Sequence, residues 1–162
     1  MKNNNIKHKA TSFHGERLRK GRTSIEKQIY MITTVTYMRK PLFSDLTLGR
    51  VAINAMRFQH EKKFITSLAF VIMPDHVHWL FQLENESTLS SVIRQFKTYT
   101  SFKINFNSEL KHKRIWQSGF HDHALRKEED IKSIARYIVA NPLRAGLVRN
   151  IGDYPLWDAN WL

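Results

Sequence analysis

Residues 65–83, ITSLAFVIMPDHVHWLFQL, contain two runs rich in β-branched and aromatic residues, separated by Pro74-Asp75. Such runs favour β-strands, and a Pro-Asp pair between them favours a tight turn. We therefore predict one strand from Ile65 to Met73 and a second from His76 to Leu83. Because so few residues separate them, the two strands should pair as an antiparallel hairpin.

Strand alternation in the second run separates an apolar face from a face that carries two histidines. The apolar face, which we expect to be buried, consists of Val77, Trp79, Phe81 and Leu83. The opposite face consists of His76, His78, Leu80 and Gln82. Two imidazoles on one face can hold a divalent metal, but a His-x-His pair is also common among packing and surface residues.

The elements around the hairpin indicate one α+β domain. A strand is predicted from Ile29 to Tyr37, and Asp45 can cap a helix with Leu48, Val51, Ala52, Ala55 and Met56 on its apolar side. A second helix begins at Ser87 or Thr88, and its apolar side consists of Leu89, Val92, Ile93, Phe96 and Tyr99. Residues 111–126 combine turn and strand signals, and a third helix follows Glu128, Glu129 and Asp130. The order β-α-β-β-α-β-α predicts an antiparallel sheet with helices packed on it.

Composition favours a nucleic-acid partner. The chain has 162 residues, with 26 Lys and Arg against 14 Asp and Glu, which gives a net charge of +12. Such a surplus favours polyanions over membranes, although a generic basic surface is the simpler alternative. We find no cysteine, no apolar run long enough to span a bilayer and no signal-peptide pattern, and we expect a cytoplasmic protein that associates with the nucleoid when DNA is bound.

Tyr137 and Asn141 are spaced to share one face of the third helix. A phenol beside a metal pair suggests phosphodiester chemistry with tyrosine as the nucleophile. Tyrosines in the middle of helices are more often half-buried packing residues. Asn141 has its own alternative, because an Asn before Pro142 can cap a new helical turn that Gly146 would end.

Several separated motifs together resemble the REP-associated tyrosine transposases of the HUH endonuclease superfamily. They are Leu18 to Arg22, Met73 to His78, Trp116-Gln117, Asp122-His123 and Tyr137 to Val148. The resemblance covers most of the chain and implies a ferredoxin-like sheet of the HUH endonuclease type. The end after Val148 is shorter than in some relatives, so the resemblance says least about target recognition.

The resemblance also implies a mechanism and its residues. Tyr137 would be the nucleophile that forms a 5′-phosphotyrosine bond, and His76, His78 and Asn141 would bind Mg²⁺ or Mn²⁺. The insertion-sequence relatives usually carry Gln where this chain has Asn141. The substrate would be single-stranded DNA presented by a hairpin, bound by a monomer or a homodimer.

Basic residues provide candidate contacts to the DNA backbone. They are Arg17, Arg19, Lys20, Arg22, Arg94, Lys97 and Lys103. Trp116 could stack on a base, although core packing is its expected role. His121 and His123 could support the metal ligands, contact DNA or simply pack.

The sequence predicts one catalytic domain between two short terminal segments, and two other functions remain as alternatives. We expect a basic arm over residues 1–25, a catalytic domain over 26–150 and a short tail over 151–162. One rival is a hairpin-binding protein that has lost cleavage. Another is a metallohydrolase or oxygenase that uses both His-x-His pairs, although this leaves the Tyr-Asn-Pro segment and the basic charge unexplained.

Overall fold

A computed structural model of the protein describes residues 24–107, 114–127 and 129–160. Its strands are β1 (Ile29–Val35), β2 (Ile65–Met73), β3 (His76–Leu83), β4 (His121–Ala124) and β5 (Trp157–Ala159). Its helices are α1 (Leu46–Glu61), α2 (Leu89–Asn107), α3 (Ile131–Val139) and α4 (Asn141–Arg144). Except for its last two residues, the predicted basic arm lies outside the described residues.

The described strands form one antiparallel sheet in the order β4-β1-β3-β2-β5. The predicted hairpin is confirmed, since Met73 pairs with His76 beside the turn and Ile65 pairs with Leu83 at the far end. The first four strands and the helices between them have the ferredoxin-like arrangement, and β5 extends the sheet beside β2. The predicted α+β class is therefore confirmed.

Each face of the sheet is covered by different helices. On one face, the buried side chains of Val77, Trp79 and Phe81 pack in a core with residues of α1 and α2. On the other face, Val71 and Leu80 pack in a second core with residues of α3. The predicted alternation of β3 is confirmed, and it places both histidines on the face that carries α3.

Side-chain caps fix where the helices begin. Asp45 accepts a hydrogen bond from the backbone N–H of Thr47, as the sequence predicts for the start of α1. Of the two residues proposed to cap α2, Thr88 does so, accepting from the N–H of Ser91. Asp130 caps α3 by accepting from the N–H of Lys132.

Two local predictions are wrong. Tyr99 is 43% exposed, because the buried stripe of α2 continues from Phe96 to Thr100, one helical turn later. The first strand ends at Val35 instead of Tyr37, and residues Tyr37–Arg39 form a 3-10 turn in which Met38 has a φ of 55°. No helix in the described part of the chain is both long and apolar enough to cross a bilayer.

Candidate active site on the α3 face of the sheet

The two histidines of β3 lie side by side, as strand alternation predicts. The ring centres of His76 and His78 are 4.8 Å apart, and the rings meet nearly at right angles. Both side chains are partly exposed, whereas Leu80, the next residue on the same face, is fully buried. The pair therefore lies at the open end of the face that α3 covers.

His76 is held by the residue before it. Its Nδ1 lies 2.5 Å from Oδ1 of Asp75, which also accepts a hydrogen bond from Arg39 at 3.0 Å through its other oxygen. Partial burial acts to raise the pKa of Asp75, but the hydrogen bonds from His76 and Arg39 outweigh it and hold that pKa below its ordinary value. Because an ionised carboxylate only accepts, Nδ1 of His76 donates, which leaves Nε2 free to bind another group.

His78 is oriented by the neighbouring strand. Its Nδ1 lies 2.8 Å from Oγ1 of Thr33, the residue opposite it on β1. Burial, together with the charges of His76 and Arg144, lowers the pKa of His78 from 6.5 to about 4. The ring is therefore neutral near pH 7, which is the form of histidine that binds metals.

Tyr137 projects from α3 at the border between its buried and exposed sides. Its neighbours Ala135 and Ile138 are buried in the core under the helix, whereas Tyr137 is 52% exposed. The guanidinium carbon of Arg144 lies 4.2 Å from the centre of the Tyr137 ring. Tyr137 is therefore a half-exposed phenol with a cation held on its ring.

Asn141 lies one turn beyond Tyr137, as the sequence predicts. Its Nδ2 donates to the backbone oxygens of Tyr137 at 3.1 Å and Ile138 at 2.9 Å. The side chain thus closes the end of α3. The predicted new turn is present as α4 and is followed by Gly146 at a φ of 68°, but Asn141 makes no capping bond to it, so only its capping role is wrong. With the amide nitrogen used in this way, the side-chain oxygen is available as an acceptor or metal ligand.

These residues have the donor chemistry that a divalent cation requires. Two imidazoles, each held through Nδ1, and one amide oxygen could provide three ligands from one face of the protein. Within residues 24–107, 114–127 and 129–160, no group of three or more His, Cys, Asp and Glu could hold a metal. The described residues therefore give no support to a metallohydrolase that uses both His-x-His pairs.

The second His-x-His pair lies on the edge strand β4. His121 is opposite Thr33, which is itself opposite His78, so these three side chains share one row of the sheet. His123 is instead paired with Glu129, whose carboxylate oxygens lie 2.8 and 3.1 Å from its Nε2. His121 thus lies in the row of His78, whereas His123 is hydrogen-bonded to Glu129.

The three predicted DNA-binding residues that the structure describes lie away from this site. Arg94, Lys97 and Lys103 are all on α2, which covers the opposite face of the sheet. Lys97 also donates to the backbone oxygens of Gln117 and Gly119. Arg17, Arg19, Lys20 and Arg22 fall outside the described residues.

Trp116 belongs to the core, as expected. It is 5% exposed and its ring centre lies 5.5 Å from that of Phe96. Its indole N–H donates to Oγ1 of Thr100 at 2.8 Å. A tryptophan buried and hydrogen-bonded in this way is not placed to stack on a base.

Three residues that contact the site were not among the predicted site residues. Thr33 is brought to His78 by strand pairing across 45 positions, which no local pattern reveals. Asp75 and Arg144 both lie inside the motifs that carry the family resemblance. Of these three residues, Asp75 gave the one local signal, because a carboxylate directly before His76 is a candidate hydrogen-bond partner for its ring.

Comparison with known proteins identifies related sequences. Residues 24–141 match the family model described as Transposase IS200 like. A REP-associated tyrosine transposase of Escherichia coli K12 is 33% identical over 88 residues, covering 54% of this chain and 50% of that protein. A Haemophilus influenzae protein whose name places it with the same transposases is 33% identical over 98 residues, covering 55% of this chain and 56% of that protein. The chain thus spans about half the length of these two relatives.

A solved structure has the same fold. It is a REP-associated tyrosine transposase bound to a REP hairpin, and it superposes with a TM-score of 0.68 at 25% sequence identity. The match covers 84% of this chain and 79% of the solved chain. The likeness therefore extends over most of the sheet and helices described above.

Proposed function

Because the chain belongs to the IS200-like transposases, we propose that it cuts and rejoins single-stranded DNA beside a hairpin, through a covalent bond to Tyr137. The hairpin is suggested by the solved relative, which is bound to a REP hairpin. A metal-dependent reaction is suggested by the donor set of His76, His78 and Asn141.

One observation carries this proposal: an exposed phenol and a pair of anchored imidazoles occupy the same face of the sheet. Arg144 links them, since its guanidinium lies 4.2 Å from the Tyr137 ring and its charge contributes to the low pKa of His78. We infer that a site of this kind would hold the scissile phosphate between a nucleophile, metal ligands and a cation.

The reaction exchanges one phosphodiester for another. The Tyr137 oxygen loses its proton and attacks the scissile phosphorus, and the bond from phosphorus to the 3′ oxygen breaks. The departing strand takes up a proton as a free 3′-hydroxyl, and the other strand stays joined to Tyr137 through its 5′ phosphate. A second 3′-hydroxyl then attacks the phosphotyrosine and restores the phenol. Because each step replaces one ester by another, strand transfer needs no nucleotide cofactor.

The protein's residues position the phosphate for this exchange. His76, His78 and Asn141 would hold Mg²⁺ or Mn²⁺, which when bound supplies a Lewis acid for a non-bridging phosphate oxygen. The hydrogen bonds of His76 to Asp75 and of His78 to Thr33 fix the orientation of the two rings. Because the three ligands are neutral, they bind Mg²⁺ weakly without DNA, and we expect the phosphate to complete the site.

The test is to incubate the protein with labelled hairpins from the DNA that flanks its own gene, with and without Mg²⁺ or Mn²⁺. We expect a protein–DNA adduct that survives denaturing electrophoresis and forms only when metal is present. Hairpin binding without any adduct in either metal would contradict the proposal and favour the rival, a binding protein that has lost cleavage.

Arg144 provides a further test of the site. Its guanidinium is placed to orient the Tyr137 ring and to neutralise charge on the phosphate, and loss of one such donor typically slows a reaction by about 10²–10³-fold. We expect Arg144→Ala to slow adduct formation by about that factor while hairpin affinity changes little. Arg144→Lys should recover only part of the rate, because an ammonium lacks the planar guanidinium that stacks on the ring.

The matched control is Arg149→Ala, which removes an exposed arginine shortly after α4. It should cut at the wild-type rate. Equal rates for Arg144→Ala and the wild-type protein would show that Arg144 has no part in the reaction.

A further inference from the structure

An apolar groove of about 560 Å³ lies between α1 and α2, on the face of the sheet opposite to Tyr137. Four aromatic side chains line it. Phe96 is buried at its base, whereas Phe58, Tyr99 and Phe102 are 52%, 43% and 62% exposed. Exposed aromatic residues gathered around one concave surface mark an interaction site more often than chance. Tyr99 was predicted to be buried, but its ring is exposed together with Phe58 and Phe102, which suggests a role in binding.

Cations surround these rings. The Lys62 ammonium lies 5.7 Å from the centre of the Phe58 ring, and the Lys103 ammonium lies 5.8 Å from that of Tyr99. Arg94 lines the groove directly, and none of the described residues that line it is acidic. In a chain with a net charge of +12, this setting favours a partner that combines flat rings with negative charge.

Gln59 gives the groove a polar group without a partner. Its side chain is 2% exposed, and its Nε2 donates to the backbone oxygen of Val92 at 2.8 Å. Its Oε1 is buried and accepts no hydrogen bond from any described residue. Solvent does not reach this oxygen, so a ligand in the groove would meet the rings and the cations instead.

We propose that this groove, lined by Phe58, Gln59, Arg94, Tyr99 and Phe102, binds an unpaired base of single-stranded DNA. The base would stack on the exposed aromatic rings. Arg94, with Lys62 and Lys103 nearby, would contact the adjoining phosphates. The choice of DNA as the polyanion rests on the proposed function. The aromatic rings and the cations around the groove are observed independently of that function.

The position of the groove separates it from the chemistry. The groove lies across the sheet from the His pair. A base bound there would therefore belong to a part of the DNA away from the phosphate that is cut. This also gives Arg94 and Lys103 a common role, which their distance from the His pair otherwise leaves open.

The test measures the affinity for short single-stranded DNA by fluorescence anisotropy, in a Tyr137→Phe background that cannot form adducts. We expect Phe102→Ala and Arg94→Ala each to weaken binding by about tenfold, as for other stacking residues and backbone contacts. Phe102 is exposed, so its truncation leaves the core intact. The controls are Leu46→Ala and Arg50→Ala, which remove an exposed apolar and an exposed basic side chain of α1 outside the groove.

Photo-crosslinking locates the base independently of affinity. Oligonucleotides that carry 5-iodouracil should crosslink to Tyr99, Phe102 or Phe58. Wild-type affinity in both groove variants, or crosslinks only to other residues, would overturn the proposal. So would a finding by sedimentation that Phe102→Ala abolishes a dimer while DNA affinity is unchanged, because the groove would then bind a second copy of the chain.

The outcomes also distinguish this inference from the proposed function. Normal adduct formation by the wild-type protein together with normal binding by the groove variants would reject the groove alone. Weakened binding in the variants together with no adducts from the wild-type protein would reject the cleavage reaction alone.

Discussion

Replacing Tyr137 by phenylalanine should leave a protein that binds hairpin DNA but no longer joins to it. The change removes only the phenol oxygen, and the ring can still pack under Arg144, whose guanidinium lies 4.2 Å from its centre. We expect adduct formation to fall by more than about a thousandfold, because loss of an enzyme nucleophile can cost up to about a millionfold in rate. Denaturing electrophoresis of labelled hairpins measures the adduct, and anisotropy measures the binding.

Tyr37 provides a matched control. It too has an arginine on its ring, with the guanidinium carbon of Arg114 lying 4.8 Å from the ring centre, but it lies in the turn after β1 and not on α3. Tyr37→Phe should therefore form adducts at the wild-type rate. Adducts at the wild-type level from Tyr137→Phe would mean that another residue attacks the phosphate, and mapping the joined peptide would identify it.

The parts of the site that follow local periodicity could be predicted from sequence. Alternation along β3 places His76 and His78 on one face, and the spacing of Tyr137 and Asn141 places them one turn apart. Both predictions depend only on residues close together in the chain. The same reasoning failed for Tyr99, because exposure depends on which side of α2 meets the sheet.

The support of the site could not be predicted in this way. Thr33 reaches His78 only because β1 and β3 pair in one particular register, and that register is a property of the whole sheet. Arg144 reaches Tyr137 because the chain turns after α3 and a short helix brings the guanidinium back over the ring. The capping alternative for Asn141 was likewise decided by the two carbonyls that its amide contacts, which its place before Pro142 does not determine.

Removing one imidazole should abolish the metal-dependent reaction. His78→Ala deletes a proposed metal ligand whose ring is neutral near pH 7, since burial and nearby charges lower its pKa to about 4. We expect cleavage to fall by more than about a hundredfold, because even the outer partners of metal ligands are worth about 10–100-fold in metal affinity or activity. His60→Ala, which removes an exposed imidazole of α1, should cleave normally.

A milder change tests whether the ring acts through a metal. Thr33→Val keeps the shape of the side chain but removes the oxygen that lies 2.8 Å from Nδ1 of His78. The ring would then lose the group that orients it, so we expect half-maximal cleavage to require about 10–100-fold more Mg²⁺, with recovery at high concentration. Titration of metal against initial cleavage rate measures this shift.

Thr34→Val is the control for that titration. Thr34 is the next residue of β1 and faces the opposite side of the sheet, where its buried hydroxyl bonds to no described residue. The substitution should leave the metal requirement unchanged. If Thr33→Val and Thr34→Val have the same metal requirement, or if His78→Ala still cleaves in a metal-dependent way, the His pair does not hold the metal. A shift seen only with Thr33→Val would instead tie the hydrogen bond across β1 and β3 to metal binding at His78.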